Sequence, residues 1–285
     1  MNKFIITTEN TCAMPSDFLK NLNVGLIYMH FFSDGTELPR EYDLPSFYSS
    51  LRSGAKISTS QATEYDFAEV WKPMLEDGFD ILHIGFSSAL SCTYVNSLHT
   101  VEKYSKKFPD RKILVVDSFS ASNGQGLFVK LVSDYKNEGH SLEECFEYAK
   151  TLRYKINHLF TVDNLKSLIS TGRVSNAEAF LGTLLQIKPL LYIDDLGNLV
   201  PFGRVTGRKS SLTALADKTL QNFSGENRTI YIGHGDCLED AQVIAEKLSS
   251  LNANIEFYDI GPIIASHTGA GVVSVFFVGN SRAVK

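Results

Sequence analysis

The residues that could carry chemistry in this sequence are concentrated between positions 81 and 95, ILHIGFSSALSCTYV. A short, largely apolar run before Gly85 predicts a buried strand, and helical spacing of apolar residues begins at Val95. Five hydroxyl side chains lie between these elements: Ser87, Ser88, Ser91, Thr93 and Tyr94. Because the first amides of a helix are unpaired and favour negative charge, this segment could bind a carboxylate or a phosphate. The simpler interpretation is that Ser91 only caps the helix.

A serine hydrolase is the second chemistry that this segment could support. Residues 85–89, GFSSA, place two serines in a strand-to-helix turn, as the nucleophile elbow of α/β-hydrolases does, and His267 follows in the right chain order. Ala89, however, stands where the elbow has its second glycine, and no HGGG-type oxyanion loop precedes it. A hydrolase of acyl esters that uses Ser87 or Ser91 with His267 is therefore kept as the alternative hypothesis.

Hydroxyl-rich segments recur at residues 58–60 and 266–268, each beside an apolar element. In an α/β fold such loops gather at the carboxyl ends of strands, where ligands bind. Neutral donors with a single histidine suit one small anion, whereas activation of water would require paired carboxylates or a metal. The pattern favours a binding pocket over an enzyme.

No cofactor or metal site is predicted from the motifs. Neither G-x-x-x-x-G-K-[ST] nor a G-x-G-x-x-G that follows a strand occurs, which argues against autonomous use of ATP or NAD. The histidines form no H-E-x-x-H or similar pair. The four cysteines have no C-x-x-C spacing and are expected to be free thiols in a reducing compartment: Cys12, Cys92, Cys145 and Cys237.

The elements that must position these residues alternate between strands and helices. The first half predicts an α/β domain with a parallel sheet (residues 1–155), and the second half predicts an α+β domain (residues 156–285). Residues 24–32 are predicted to form one strand, residues 56–61 an irregular loop, and residues 266–271 a polar, glycine-rich loop.

Composition narrows the class of protein further. The chain has 285 residues, 44% of them hydrophobic, which is enough for a sizeable core. A net charge of -5 argues against a general nucleic-acid binder. The N-terminus lacks the layout of a signal peptide, and no apolar stretch approaches membrane-spanning length. The sequence therefore predicts a cytoplasmic protein with no membrane span.

Six short motifs in the right order resemble the DegV family of bacterial fatty-acid-binding proteins, and the match runs from end to end. Residues 59–61, TSQ, resemble its T-S-Q, and residues 87–94, SSALSCTY, resemble S-S-x-L-S-G-T-Y. The later motifs are VDS at 116–118 followed by GQG at 124–126, TGRVS at 171–175, LQIKPL at 185–190, and GRK at 207–209 with HTG at 267–269.

The resemblance implies two α/β-type domains and a long-chain fatty acid held without catalysis in an apolar tunnel. Carried over to this chain, the residues at the carboxylate are Thr59, Ser91 and His267, with Ser60 as a neighbour. The family also implies a partner, an ATP-dependent fatty acid kinase, to which the bound acid is presented. Cys92 replaces the glycine that follows the key serine, which could reshape the mouth of the pocket.

Candidate residues for the fatty-acid tunnel and for the partner surface come from the same resemblance and from local sequence patterns. Five residues are candidates for the tunnel, or for an ordinary core: Phe180, Leu181, Leu184, Leu185 and Ile187. Positive residues gather at Arg173, Lys188, Arg204, Arg208 and Lys209. These residues could form either a solvated charged face or a loop that docks the kinase, with Arg173 nearest to the head group.

Overall fold

The structure is a computed structural model that describes residues 3–174 and 186–282, apart from the side chain of Lys166. The strands are β1 (Phe4–Glu9), β2 (Val24–Ile27), β3 (His30–Ser33), β4 (Thr36–Glu37), β5 (Ile57–Ser60), β6 (Asp80–Gly85), β7 (Ile113–Asp117), β8 (Ile156–Thr161), β9 (Ile187–Ile193), β10 (Leu199–Thr206), β11 (Thr229–His234), β12 (Asn254–Asp259) and β13 (Val273–Val278). The α-helices are α1 (Ser16–Asn21), α2 (Leu44–Arg52), α3 (Glu64–Glu76), α4 (Thr93–Lys107), α5 (Ser122–Asn137), α6 (Leu142–Leu152), α7 (Lys166–Ser170), α8 (Arg208–Asn222), α9 (Leu238–Leu248) and α10 (Pro262–Thr268).

The first sheet is parallel throughout, with the strand order β2-β1-β6-β7. All six residues of β6 are buried, because helices cover both faces of the sheet. Helices α3 and α4 pack on one face, and α5 and α6 pack on the other. The carboxyl ends of β1, β6 and β7 therefore open at one edge, where the loops that carry the hydroxyl residues begin.

A small antiparallel sheet, with the order β4-β3-β5, interrupts the parallel pattern. It corrects two predictions, since residues 24–32 form two strands in different sheets and residues 57–60 form a strand rather than a loop. Pairing of β5 with β3, from a distant part of the chain, supplies the backbone hydrogen bonds that make residues 57–60 a strand. This sheet contacts α10, so it joins the two halves of the chain.

The second half of the chain forms a six-stranded sheet with the order β10-β9-β8-β13-β11-β12. Only the β11–β12 pair is parallel, so the predicted α/β fold class, with an α+β second part, is confirmed. Helices α8 and α9 cover one face. The other face meets α5, which is thus packed between the two large sheets. The domain boundary at residue 155 stays a prediction.

Two further predictions need correction. His267 lies in the last turn of α10 rather than in a loop, and the glycine-rich part begins only at Gly269, where φ is +78°. The proposed basic docking loop is the end of strand β10 followed directly by α8, whose first residue is Arg208. The predicted tunnel residues Phe180, Leu181, Leu184 and Leu185 lie outside the described residues.

Within the described part of the chain, no helix combines the length and the apolar character that crossing a membrane requires. All four cysteines are free, as their spacing predicted. Among the same residues, no group of three or more His, Cys, Asp or Glu side chains could hold a metal ion.

Candidate functional site

A cavity of about 650 Å³ lies between the carboxyl edge of the parallel sheet and the face of the six-stranded sheet that meets α5. Its volume is in the range of small-molecule sites. Exposed residues border its mouth: Ser60, Gln61, Ser88, Ala89, Cys92, Gly172 and Arg173. Most of its interior is apolar and buried, including Met29, Phe86, Phe160, Leu168, Ile193, Ile263 and Val272. The cavity is therefore polar at its entrance and largely apolar in its buried part.

Ser91 presents a hydroxyl proton to the cavity because of the bonds that its oxygen already accepts. The Ala62 amide donates to Thr93 Oγ1 (3.2 Å), and the Thr93 amide donates to Ser91 Oγ (3.1 Å). The two hydroxyl oxygens are 2.9 Å apart. Thr93 is fully buried, so its own proton needs an acceptor, and Ser91 Oγ is within reach. Ser91 thus receives two hydrogen bonds and keeps its own proton free to donate.

The capping interpretation of Ser91 holds only in part. Its oxygen accepts from the first amide of α4, but the N-cap position is Cys92, whose side chain makes no capping bond. Ser91 therefore joins the helix N-terminus to the cavity. A Ser91 hydroxyl held in this way is an oriented donor for an anion.

Thr59 and His267 form the second polar pair at the cavity. Thr59 Oγ1 and His267 Nε2 are 2.8 Å apart, which links β5 to α10. Burial, reinforced by the positive charge of Arg173, lowers the pKa of His267 from 6.5 to about 4. The ring is therefore neutral at pH 7. In the tautomer protonated at Nε2, the ring donates to Thr59, and the Thr59 hydroxyl can donate onward to an anion.

Ser60 and Arg173 line the same cavity near its opening. Ser60 is exposed and alternates with the more buried Thr59 along β5, so the two side chains point to opposite faces of the strand. The exposed Arg173 donates to the Thr171 carbonyl. The structure thus brings Thr59, Ser60, Ser91, His267 and Arg173 to one cavity, although they come from four separate parts of the chain.

Arg204 and Arg208 do not line this cavity. Arg204 is exposed on β10, an edge strand of its sheet. The Arg208 guanidinium is bound to Asp240 (2.9 and 2.8 Å) and donates to the Gly271 carbonyl (2.6 Å). Arg208 therefore ties α8 to the turn before β13 and is not a free surface cation.

The arrangement expected of a serine nucleophile and its base does not occur among the described residues. The Ser87 hydroxyl donates to the Gly197 carbonyl (2.9 Å), and Ser91 is bonded to Thr93. His267 is bonded to Thr59 instead of to either serine, and its buried Nδ1 has no partner that would orient it. The geometry matches hydroxyl donors at a binding site better than a catalytic triad.

Sequence reasoning missed the residues that set the shape of the site. Thr93 was noted only as one hydroxyl among five, yet its burial determines the direction of the Ser91 proton. The apolar lining comes from strands, helices and loops spread between residues 29 and 276, so no local periodicity could have predicted it. Ile187, the one predicted tunnel residue that the structure describes, is half-buried on β9 and does not line the cavity.

The comparisons with known proteins match this chain to proteins that share the description DegV. A family model with the description "Uncharacterised protein, DegV family" matches residues 3–280. A DegV domain-containing protein of Clostridium perfringens is 37% identical and covers 99% of both chains. A solved structure described as fatty acid binding of a DegV family protein from Thermus thermophilus is 27% identical, covers 98% of this chain and 100% of its own, and has a TM-score of 0.86. A DegV lipid-binding protein from Thermotoga maritima is 25% identical, covers 98% and 99%, and has a TM-score of 0.82.

The titration of His267 tests the electrostatics of the site. We expect its imidazole to stay neutral on acidification until the pH approaches 4, as followed by NMR of the ring protons. Arg173→Ala should raise this pKa, because loss of a nearby positive charge favours the imidazolium, but burial should still keep it below 6.5. Lys106→Ala, which removes an exposed cation at the far end of α4, is the control. A titration midpoint near 6.5 in the parent protein would contradict the burial of this ring.

Proposed function

The chain belongs to the DegV family, as its motifs predicted, and on that premise we propose that it binds one long-chain fatty acid in the cavity between its sheets. The carboxylate lies at the polar entrance, beside Thr59, Ser91 and His267. The tail extends along the buried apolar lining. The relatives from Thermus thermophilus and Thermotoga maritima, described as fatty-acid-binding and lipid-binding, support this assignment.

The observation that carries the proposal is the set of hydrogen bonds around Ser91, whose oxygen accepts from the Thr93 amide and lies 2.9 Å from the buried Thr93 hydroxyl. An ionised carboxylate accepts hydrogen bonds and donates none, so it needs donors whose protons are not already engaged. Ser91 supplies one such proton because Thr93 occupies its acceptor sites. Thr59 supplies a second when the neutral His267 ring donates to it. A neutral ring also avoids placing a fixed charge in the buried part of the site.

The apolar lining supplies the affinity. A tail of about sixteen carbons removes about fourteen methylenes from water, at about 0.8 kcal/mol each, which gives on the order of 11 kcal/mol before the costs of ordering. The hydrogen bonds to the head group add about 1.5–3 kcal/mol each. The hydroxyls therefore orient the acid, and burial of the tail holds it.

We further propose that binding occurs without catalysis and that the bound acid is presented to an ATP-dependent fatty acid kinase in the cytoplasm. The exposed Arg173 at the mouth could offset the charge of an acyl phosphate. Arg204 is exposed and does not line the cavity, so its charge is available to attract an acidic surface of the partner. Arg208 is a weaker candidate than the sequence predicted, since it is engaged with Asp240.

Native mass spectrometry tests the binding function directly. Protein purified from bacteria should carry about one non-covalent fatty acid per chain, because the cavity and its donors match one head group. Organic extraction should release the acid unchanged. A covalent acyl-serine adduct, or turnover of acyl esters, would instead support the alternative serine hydrolase.

Removal of either head-group hydroxyl should weaken fatty-acid binding. We expect Thr59→Val and Ser91→Ala each to cost roughly 1–3 kcal/mol of binding free energy, the usual effect of leaving a buried polar partner unpaired. Isothermal titration calorimetry of delipidated protein measures this loss. Ser58→Ala, which removes an exposed hydroxyl next to Thr59 on β5, should bind as the parent does. Parent-like affinity in both site variants would refute the assignment of the carboxylate.

The partner surface is tested with Arg204→Ala alone, because replacing Arg208 would also break its bonds to Asp240 and Gly271. The variant should slow acyl phosphate formation by the cognate kinase at low ionic strength and flatten the salt dependence of the rate. Fatty-acid affinity should not change. Lys106→Ala, an exposed cation distant from this strand, serves as the control. If Arg204→Ala supports the parent rate at low salt, the kinase does not dock at Arg204.

A further inference from the structure

The buried part of the cavity is not wholly apolar. His158, Ser122 and Ser274 line it and are only 3%, 4% and 5% exposed. They lie where β8 and β13 meet the N-terminus of α5. The His158 ring is also so close to α5 that a Cβ on Gly124 would lie 2.3 Å from its Nε2 atom. We call these three side chains, with the first turn of α5, the polar floor of the cavity.

The hydrogen bonds of His158 are complete. The Ala121 amide donates to Nε2 (3.4 Å), so the proton of the neutral ring lies on Nδ1 and is directed at the Ile156 carbonyl (3.3 Å). Burial, helped by the charge of Arg282, holds the pKa of His158 well below its usual range. The His158 ring is thus a neutral part of the polar floor, held in place by its two hydrogen bonds.

The Ser274 hydroxyl, in contrast, has no hydrogen-bond partner among the described residues. Ser274 pairs with Phe160 across β13 and β8. Phe276 follows it on the same face of β13, and Val272 lies directly before the strand. All three of these neighbours line the cavity, so the Ser274 side chain faces the cavity as well. A buried hydroxyl is directed into this space and left unpaired.

Ser122 adds a second under-used donor at the same place. Its hydroxyl makes one long bond, 3.4 Å, to Asn123 Oδ1. The helix that it begins has no side-chain cap, so its first amides lack intrahelical acceptors. Ser122 also has a φ of +56°, a conformation that non-glycine residues rarely adopt and that is common at functional sites.

A simple alkyl tail does not complement this floor. Packing methylenes against Ser274 and Ser122 would remove both hydroxyls from water and give them no partner, which is unfavourable. We propose that the preferred ligand is a fatty acid with a hydroxyl or keto oxygen in the distal part of its chain, and that this oxygen bonds to Ser274 and Ser122. This specificity rests on the proposed fatty-acid function and adds a second point of recognition to it.

The test compares octadecanoic acid with a series of hydroxyoctadecanoic acids that carry the hydroxyl at successive distal carbons. Calorimetry of the delipidated full-length protein should find at least one hydroxy acid that binds about tenfold more tightly than octadecanoic acid, the usual gain from one hydrogen bond to an otherwise unpaired group. Ser274→Ala should abolish that preference and bind octadecanoic acid at least as tightly as the parent does, because the unpaired hydroxyl is gone. Ser211→Ala, which removes a fully buried hydroxyl of α8 that is bonded to the Arg208 carbonyl, is the matched control.

The outcomes separate this inference from the function on which it rests. If octadecanoic acid binds but no hydroxy acid binds more tightly, the polar floor holds water only and the inference is wrong, while fatty-acid binding stands. If no fatty acid binds at all, the proposed function itself fails. The comparison in the parent protein needs no variant, so it decides the question even if Ser274→Ala folds poorly. Retention of the preference in a folded Ser274→Ala would also overturn the assignment.

Discussion

One buried carboxyl group, that of Glu9, determines how the strand ends of the first sheet are arranged. Glu9 is fully buried at the end of β1. It accepts hydrogen bonds from the Phe86 amide (2.9 Å) and from Gln125 Nε2 (2.9 Å), and it lies 3.1 Å from His83 Nε2. Because a buried polar group without partners is costly, these donors must stay in place around it. One side chain thus links β1, the turn after β6, and α5.

The same network reaches further into the core and toward both ends of the cavity. His83 Nδ1 is 3.0 Å from Thr7 Oγ1, which also accepts from the Trp71 indole, and Gln125 accepts from the Thr11 hydroxyl. The turn that begins at Phe86 carries the hydroxyls of the mouth, and α5 carries the polar floor at its N-terminus. The turn at the mouth and the polar floor are therefore linked by buried hydrogen bonds within the protein.

The cavity also explains why this fold needs contributions from both halves of the chain. Neither large sheet alone encloses the cavity, because its lining residues come from both halves of the chain. Strand β5 and helix α10 close the remaining side, and the Thr59–His267 bond joins them across the opening. In the proposed function, affinity from apolar burial and orientation from hydroxyl donors come from different surfaces of the same cavity.

The sequence by itself determined those features that depend only on residues close together in the chain. The alternation of strands and helices is as the local patterns predicted. The capping box of Thr63 and Asp66 and the hairpin of β9 and β10 are likewise formed by residues close in the chain. The family motifs predicted the hydroxyls at the carboxylate, and the structure brings them to one cavity. Only the tertiary structure decided that residues 57–60 form a strand, that His267 lies on a helix, and that Arg208 is engaged with Asp240. These outcomes depend on partners distant in the chain, and the direction of the Ser91 proton depends in the same way on the Ala62 amide, so no pattern within a short segment could specify them.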